Sequence, residues 1–159
     1  MAWSNSKIFR FMLGSVFANS AAYDLSGTPD TFKAALYNTT PTPDQNVATD
    51  VLTGYNGAAS QWVVANEVTD ATNWPAGGRP LVTPTIDVSV AATVFWDAVD
   101  TASVGATTTL AAVFGTLVYD DTLTNKPGIT YNYFGGTQSV TSGTFTIIWH
   151  ANGIFRFTI

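Results

Sequence analysis

The sequence predicts an all-β fold, an antiparallel β-sandwich or barrel, with a short helix near the N-terminus. Apolar and polar residues alternate along several short segments, which is the period of half-buried strands. Clusters rich in Gly, Pro, Asn and Asp separate these segments, giving roughly seven to nine strands at 8–12-residue spacing. The length of 159 residues is typical of one domain, so we expect a single β domain over residues 1–159.

The first 25 residues are predicted to form an N-terminal arm that contains a helix over residues 7–18. The alternation of apolar and polar residues over residues 8–12 is also compatible with a strand. The side chains that can share one helical face are Ile8, Phe11, Met12 and Phe17.

The same stretch has the outline of a secretory signal peptide, in which positive charge precedes an apolar run and then small residues. Because Gly14 and Ser15 interrupt the short apolar run, we expect this stretch to belong to the folded domain. The residues that give the outline are Lys7, Arg10, Phe11, Ala18, Ser20 and Ala21.

Residues 32–37 are predicted to form a strand, because Phe32, Ala34 and Leu36 alternate with the residues between them. Residues 38–60 are predicted to be a long ordered loop, since they are rich in Pro and Gly and have few periodic apolar positions. Loops of this length are usually functional or contact a partner.

Further along, residues 60–68 are predicted to form a strand and residues 73–80 a second loop. Residues 83–100 show the clearest alternation in the chain. The phase of that alternation changes at Ala91-Ala92, which predicts a β-bulge within one long strand.

Residues 105–120 are predicted to form a central strand, because Val113 to Tyr119 are apolar on both faces. A turn over residues 121–128 follows. The segments after that turn lead into the C-terminal hairpin.

The C-terminal hairpin is predicted at Asn152-Gly153, which lies between two alternating segments and suits the positive φ angles of a type I′ turn. This register places His150 opposite Phe155, and Trp149 opposite Arg156 in a cation–π arrangement. A catalytic histidine needs an orienting carboxylate and a nucleophile within reach. The neighbouring residues offer neither, so we interpret His150, the only histidine, as structural.

The composition argues against several classes of protein. Charged residues make up only 11% of the chain, and the net charge is −5 with six basic residues scattered along it. No basic patch is visible, so we expect no nucleic-acid partner. The absence of cysteine excludes disulfides and thiolate metal sites. No run approaches the 18 or more apolar residues of a membrane span, so no membrane partner is expected.

Four acidic residues stand near the ends of predicted strands: Asp97, Asp100, Asp120 and Asp121. If those strand ends are neighbours, the four carboxylates could surround a calcium ion or form the carboxylate pair of a glycosidase. The alternative is that each carboxylate accepts hydrogen bonds from nearby backbone N–H groups in a turn. No calcium-loop spacing is present, so we expect turn capping, with no metal, no cofactor and no catalytic residues.

Tryptophan offers one further binding hypothesis. A platform of exposed indole rings could bind sugars, with Trp74 in its Pro/Gly-rich loop as the first candidate. Aromatic residues on strands more often belong to the core, and we favour that interpretation. The residues concerned are Trp62, Trp74, Trp96 and Trp149.

Two segments, FWDAVDTASVGATTTLAAVFGTLVYDD and YFGGTQSVTSGTFTIIWHANGIFRFTI, resemble a group of small virion proteins of tailed bacteriophages. The similarity covers most of residues 30–159 and is weakest over residues 1–30. The chain departs from the group at FWDAVD, which replaces a shorter acidic step. The matching positions are Lys33 to Asn38, Pro43-Asp44, Phe95 to Asp100, Leu117 to Thr122, Phe134-Gly135 and Gly143 to Arg156.

The resemblance implies a non-enzymatic structural role in the phage particle. Size, acidity and sparse charge lead us to expect a capsid decoration protein on the outer surface of the head, made in the cytoplasm of the bacterial host. Its expected partners are the major capsid protein and copies of itself, as a homotrimer by analogy. The expected contact regions are the N-terminal arm and the two loops, 38–60 and 73–80. A tail-associated protein and a carbohydrate-binding module on the virion surface are the alternatives.

Overall fold

The structure, a computed structural model, describes residues 3–19 and 23–159 of the chain. It is an antiparallel all-β protein of sandwich-like architecture with one helix of more than two turns, as the sequence predicts. The strands in chain order are β1 (Lys7–Ile8), β2 (Phe32–Tyr37), β3 (Arg79–Pro80), β4 (Val82–Asp87), β5 (Thr93–Val99), β6 (Thr101–Ala102), β7 (Thr108–Asp120), β8 (Gly128–Gly143), β9 (Thr146–Ile147) and β10 (Phe155–Thr158). The helical segments are α1 (Arg10–Ala18), α2 (Asp50–Thr53) and a 3₁₀ turn (Val64–Asn66).

The main sheet has five strands in the order β1-β8-β7-β2-β3. Strand β7 is central, and its residues 115–120 are buried. The predicted central strand is therefore confirmed, as is the strand at 32–37. The second sheet has the order β10-β5-β4, and β6 pairs with β9 in a separate two-stranded ribbon.

Aromatic rings fill the core beneath the main sheet. Trp62 is fully buried and makes edge contacts with Tyr37, Trp3 and Phe9, at centroid distances of 5.1, 5.5 and 6.2 Å. Such edge-to-face pairs add to the stability that area burial supplies. The ring of Phe9, just before α1, therefore ties the N-terminal segment to the core.

The helix was correctly predicted in type but not in extent or facing. It begins at Arg10, because Ile8 is paired with Thr130 in β1, and it ends at Ala18, before Asn19, whose φ of 49° is left-handed. Met12 is buried as expected, whereas Phe17 is 82% exposed. The predicted arm over 1–25 and the small residues of the signal-peptide pattern include positions 1–2 and 20–22, which lie outside the described residues.

The long loop over 38–60 is only partly irregular. It contains α2, and its Thr53, Gly54 and Tyr55 are buried. The Thr53 hydroxyl accepts a hydrogen bond from the Gly128 N–H at 3.3 Å, so this part of the loop is fixed against the start of β8.

The predicted strand at 60–68 is wrong. Its residues form the 3₁₀ turn, and only Glu67 makes a β-bridge, to Tyr37. Trp62 is fully buried in the aromatic core, whereas Val64 in the turn is 44% exposed.

The single bulged strand at 83–100 is also wrong. The chain reverses at residues 88–92, so β4 and β5 form an antiparallel hairpin with Ile86 opposite Trp96. The change of phase at Ala91-Ala92 marks the turn itself, where Ala92 has a φ of 58°.

The C-terminal hairpin is wrong as well, although a turn is present. The Gly153 N–H donates to the His150 carbonyl at 2.7 Å, so the turn is centred one residue earlier than predicted. The two flanking segments then diverge: β9 pairs with β6, and β10 pairs with β5. Arg156 consequently lies opposite Phe95 and not opposite Trp149.

Candidate interaction surface

A groove runs along the surface between β8 and the segment that follows it. We call it the β8–β9 groove and define it by residues 132–134 and 138–140 on one side and 144–150 on the other. Its two largest parts have volumes of about 390 and 350 Å³ and share Phe134, Ile147 and Ile148 as lining residues. They therefore form one continuous concavity.

The β8 side of the groove is shaped by a large bulge. Residues Val113 to Gly115 of β7 lie opposite Gln138 to Tyr133 of β8, so β8 carries extra residues at this point. Gly135 and Gly136 have φ values of 77° and 151°, which residues with a side chain rarely adopt. The bulge allows the ring of Phe134 to contact Phe145 across the groove, at a centroid distance of 6.2 Å.

The β9 side is held rigidly by its neighbours. The Phe145 backbone exchanges hydrogen bonds with Ser103, from the Ser103 N–H at 2.8 Å and to the Ser103 hydroxyl at 3.1 Å. The Trp149 N–H donates to Asp100 Oδ1 at 2.9 Å, and its indole N–H donates to the Thr101 hydroxyl at 3.2 Å. This segment is therefore fixed before any partner binds.

Alternate side chains of the same segment point to opposite sides, as in any extended chain. Ile147 and Trp149 are 5% and 8% exposed, whereas Ile148 between them is 77% exposed and lines the groove. The groove thus receives a large apolar side chain that nothing within the described residues covers.

The backbone edges on both sides of the groove are open. Among the described strands, β9 pairs only with β6, and β8 pairs with β1 only at Thr130 and Tyr131. The next N–H along β8, that of Tyr133, donates to the Ser6 hydroxyl at 3.0 Å. Beyond it, neither the rest of β8 on this side nor the other side of β9 has a strand partner among the described residues. An unpaired strand edge can accept an added strand.

The chemistry of the groove is uncharged. Within the part of the chain that the structure describes, neither of its two largest parts has an Asp, Glu, Lys or Arg in its lining. Asn132 Oδ1, also in the lining, is buried and has no hydrogen-bond partner among the described residues. The arrangement suits an uncharged peptide that offers both apolar and polar groups to the lining.

His150 lies at one end of this groove and is exposed. Its Nδ1 accepts a hydrogen bond from the Asn152 N–H at 3.1 Å, so one ring nitrogen is used inside the turn. Around it, the described lining contains no carboxylate. The interpretation of His150 as a structural residue stays a prediction.

The four acidic residues are not brought together. Asp100 accepts a hydrogen bond from the Trp149 N–H, and Asp120 accepts hydrogen bonds from the N–H groups of Thr122 and Leu123. Asp121 forms ion pairs with two lysines. Over residues 3–19 and 23–159, no group of three or more His, Cys, Asp or Glu could hold a metal ion. The carboxylate of each of these three acids is thus engaged by backbone N–H groups or lysines, and the calcium arrangement is not formed.

The four tryptophans of the sugar-platform hypothesis are core residues. Trp62 and Trp74 are fully buried, Trp96 is 1% exposed and Trp149 is 8% exposed. The indole of Trp96 donates to the Leu25 carbonyl at 2.7 Å. A glycan could not stack on any of these rings without rearrangement of the core.

Sequence reasoning missed a half-buried glutamate that lies beside two tyrosines. Glu67 accepts hydrogen bonds from the Tyr55 hydroxyl and from the Gly77 N–H, each at 2.9 Å, and burial raises its pKa to about 7. Tyr119 stacks on Tyr55 at 4.8 Å and donates to the Gly77 carbonyl at 2.8 Å. The signal in the sequence was that Glu67 is the only glutamate and stands within an apolar segment.

A second buried acid lies at the end of β7. Asp120 is fully buried, and Asp30 beside it is 4% exposed. Burial, together with the Asp30 carboxyl, raises the pKa of Asp120 to about 6, although the hydrogen bonds that Asp120 accepts from two backbone N–H groups lower this pKa. The Asp24 N–H donates to Asp30 at 2.6 Å, which fixes the loop before β2.

Comparison with protein-family models, with curated proteins and with solved structures finds no match to this chain. Across the described ranges, none of the helices has the length and apolar character needed to cross a membrane. The groove is therefore the feature from which a function can be argued.

Proposed function

We propose that this chain is a non-enzymatic structural protein of a bacteriophage virion, and that it decorates the outer surface of the mature head. The observation that carries the proposal is the open β8–β9 groove, with a strand edge on each side. Natural proteins cover or charge such edges unless a partner occupies them. The sequence resemblance to small phage virion proteins names the class of particle in which that partner would be found.

The expected mechanism is stabilisation by binding and involves no catalysed reaction. A protein that binds only the assembled, mature lattice adds its binding free energy to the stability of that lattice by mass action. Interfaces of standard size bury about 1,600 Å² in total, and many copies per particle would act together. The major capsid protein and copies of this chain are the proposed partners, with a homotrimer as the proposed assembly.

Charge supports a protein partner over a nucleic acid. The net charge is −5, and two of the six basic residues share one carboxylate as their ion-pair partner. Lys33 and Lys126 each lie 2.7 Å from a carboxylate oxygen of Asp121. Phosphate backbones are bound by free basic groups, so this arrangement offers them little.

Binding to capsids tests the proposal. Purified protein should co-sediment with expanded heads of the phage that encodes it, ignore unexpanded heads, and raise the melting temperature of the expanded ones. Replacing Ile148 by Asp, in the groove, should abolish this binding. Replacing Val64 by Asp, at an exposed position outside the groove, should leave it unchanged.

Two other results would redirect the proposal. Co-purification with tails and not with heads would favour a tail-associated protein. A change in tryptophan fluorescence with host glycans, without any capsid binding, would favour the carbohydrate-binding alternative, even though the indoles are buried.

A further inference from the structure

The segment that precedes β2 connects the main sheet to the second sheet, and we call it the strap and define it as residues 24–31. At its end, the Thr31 carbonyl accepts a hydrogen bond of 2.8 Å from the Asp121 N–H, just after β7. Near its start, the Leu25 carbonyl accepts one of 2.7 Å from the indole N–H of Trp96 in β5. The strap therefore joins the two sheets.

Two buried carboxyl groups meet where the strap contacts the end of β7. Asp30 in the strap is 4% exposed, and Asp120 is fully buried. Asp120 Oδ1 accepts hydrogen bonds from two backbone N–H groups, whereas Oδ2 is buried and has no hydrogen-bond partner among the described residues. Asp30 lies within hydrogen-bond reach of this carboxyl. Because buried polar atoms are rarely left without a partner, the Asp30 carboxyl is the group that can complete the bonding of Asp120.

A hydrogen bond between two carboxyl groups requires a proton. An ionised carboxylate only accepts hydrogen bonds, so one of the two groups must be protonated to donate. Two neighbouring carboxylates in a buried place also repel each other, which opposes the ionisation of both. Burial and the neighbouring Asp30 accordingly raise the pKa of Asp120 to about 6.

The surrounding groups do not neutralise a second negative charge in this pair. The titratable groups on the elements around it are Tyr23, Asp24, Asp50, Asp121, Lys33 and Lys126. Both lysines lie 2.7 Å from carboxylate oxygens of Asp121. Burial, with smaller effects of Asp120 and Asp50, raises the pKa of Tyr23, so its hydroxyl stays protonated. Among these groups, no cation is left for the pair.

We propose that Asp30 and Asp120 share one proton and form an acid-closed latch, which holds the strap across the two sheets and releases it as the pH rises. The closed latch retains a proton that a hydrated carboxyl would lose. Closure is therefore fully favoured below about pH 4 and is lost as the pH rises through about 6. Release would free the Trp96 indole N–H and loosen the junction between the sheets. This device goes beyond the proposed function, because it concerns contacts within one chain.

Amide hydrogen exchange of the strap at pH 5 and pH 8, corrected for the intrinsic pH dependence of exchange, tests the latch. Protection should fall roughly tenfold or more at pH 8, since a rise of the Asp120 pKa from 3.8 to about 6 allows a change of up to about 100-fold in the closure equilibrium. At pH 8 the strap should also exchange well ahead of residues 113–119 of β7, because it opens without global unfolding.

Two variants should keep the latch closed at every pH. In Asp120→Asn or Asp30→Asn, the new side-chain N–H donates permanently to the remaining carboxylate, so protection at pH 8 should match that at pH 5. Asp30→Asn leaves the bonds from Thr122 and Leu123 to Asp120 in place, and it decides the question if Asp120→Asn does not fold. The control is Asp24→Asn, which alters a strap carboxylate that accepts from Ser26. It should keep the pH dependence of the unaltered protein.

Four results would overturn the inference. The first is equal corrected protection of the strap at pH 5 and pH 8, and the second is loss of protection at pH 8 in both Asn variants. The third is equal protection of the strap and β7 at pH 8, which would mean that the strap opens only when the whole protein unfolds. The fourth is full restoration of protection at pH 8 by calcium chloride, which would show that a cation and not a proton joins the two carboxyl groups.

Discussion

The hydroxyl of Tyr55 donates a hydrogen bond of 2.9 Å to Glu67, the only glutamate in the chain. This carboxyl is half-buried beneath the loop of residues 73–80, and burial raises its pKa to about 7. The folded protein therefore holds a proton on Glu67 at pH values where the unfolded chain has released it.

Stability should accordingly fall as the pH rises from about 4.5 to about 7. A raised pKa in an acid means that the folded state binds more protons than the unfolded state. The resulting stabilisation is fully present at pH values below the pKa of the unfolded state and is lost as the pH rises through the pKa of the folded state. Allowing for solvent near the half-buried group, the loss is up to about 2 kcal/mol. Urea unfolding of Glu67→Gln across this pH range should not show this loss of stability.

The matched control for this prediction is Asp44→Asn, which alters an exposed carboxylate that accepts from the Asn46 N–H. It should leave the pH profile unchanged. An unaltered pH profile in Glu67→Gln would show that Glu67 is not the titrating group.

Asp120 should produce a second, lower window of pH dependence. Burial and the neighbouring Asp30 raise the pKa of Asp120 to about 6, so stability is lost as the pH rises from about 4 to 6. Asp120→Asn keeps an oxygen that can accept from Thr122 and Leu123. This variant should lose the lower window while keeping the one due to Glu67, as unfolding curves at pH 4, 6 and 8 would show. Identical curves for Asp120→Asn and the unaltered protein would contradict the assignment.

Substitution by alanine should have opposite effects on stability at two glycines. A Cβ at Gly78, where φ is 78°, would collide with the backbone carbonyl of Ala34, so Gly78→Ala should cost more than about 2 kcal/mol. Gly14 lies within α1, and a Cβ there meets no atom of the described residues within 4 Å. Gly14→Ala should stabilise the protein by about 0.5–1 kcal/mol, because glycine is a poor helix former. Thermal unfolding measures both; a neutral Gly78→Ala would refute the close approach.

Trp62 should be among the most sensitive core positions. It is fully buried and contacts the rings of Tyr37, Trp3, Phe9 and Tyr131. Truncation of a buried aromatic residue to alanine costs about 3–5 kcal/mol, and we expect that loss for Trp62→Ala in chemical unfolding. Trp62→Phe should cost clearly less. A loss below about 1 kcal/mol for Trp62→Ala would mean that the cluster is not the centre of the core.

Sequence patterns predicted the fold class and the two strands that lie in the middle of the main sheet. Residues 32–37 and the long run ending at Asp120 alternate or are apolar throughout because they lie in the middle of the main sheet. The helix was predicted from spacing, but Phe17 shows that one apolar stripe need not be the buried one. For these elements, the period indicated the type but not the partner.

The C-terminal error shows why partners were missed. Asn152-Gly153 is a strong local turn signal, and a turn does form there. Distant residues decide what the flanking strands pair with: Asp100 and Thr101 hold Trp149, while the Trp96 carbonyl accepts from the Ile154 N–H at 2.8 Å. Tertiary contacts of this kind carry no sequence period.

The groove could not be predicted for the same reason. Its walls come from the Gly135-Gly136 bulge and from a segment fixed by Ser103 and Asp100, more than 40 residues away. Ile147, Ile148 and Trp149 are all apolar, so the sequence gave no sign that Ile148 would point outward while its two neighbours are buried.

Imaging of the intact phage particle by electron cryo-microscopy tests the central claim most directly. The account predicts density for this fold on the outer surface of the head, in many copies, with the β8–β9 groove covered by a neighbouring chain. Density at the tail alone, absence of the chain from purified particles, or a head-bound copy with an empty groove exposed to solvent would contradict it.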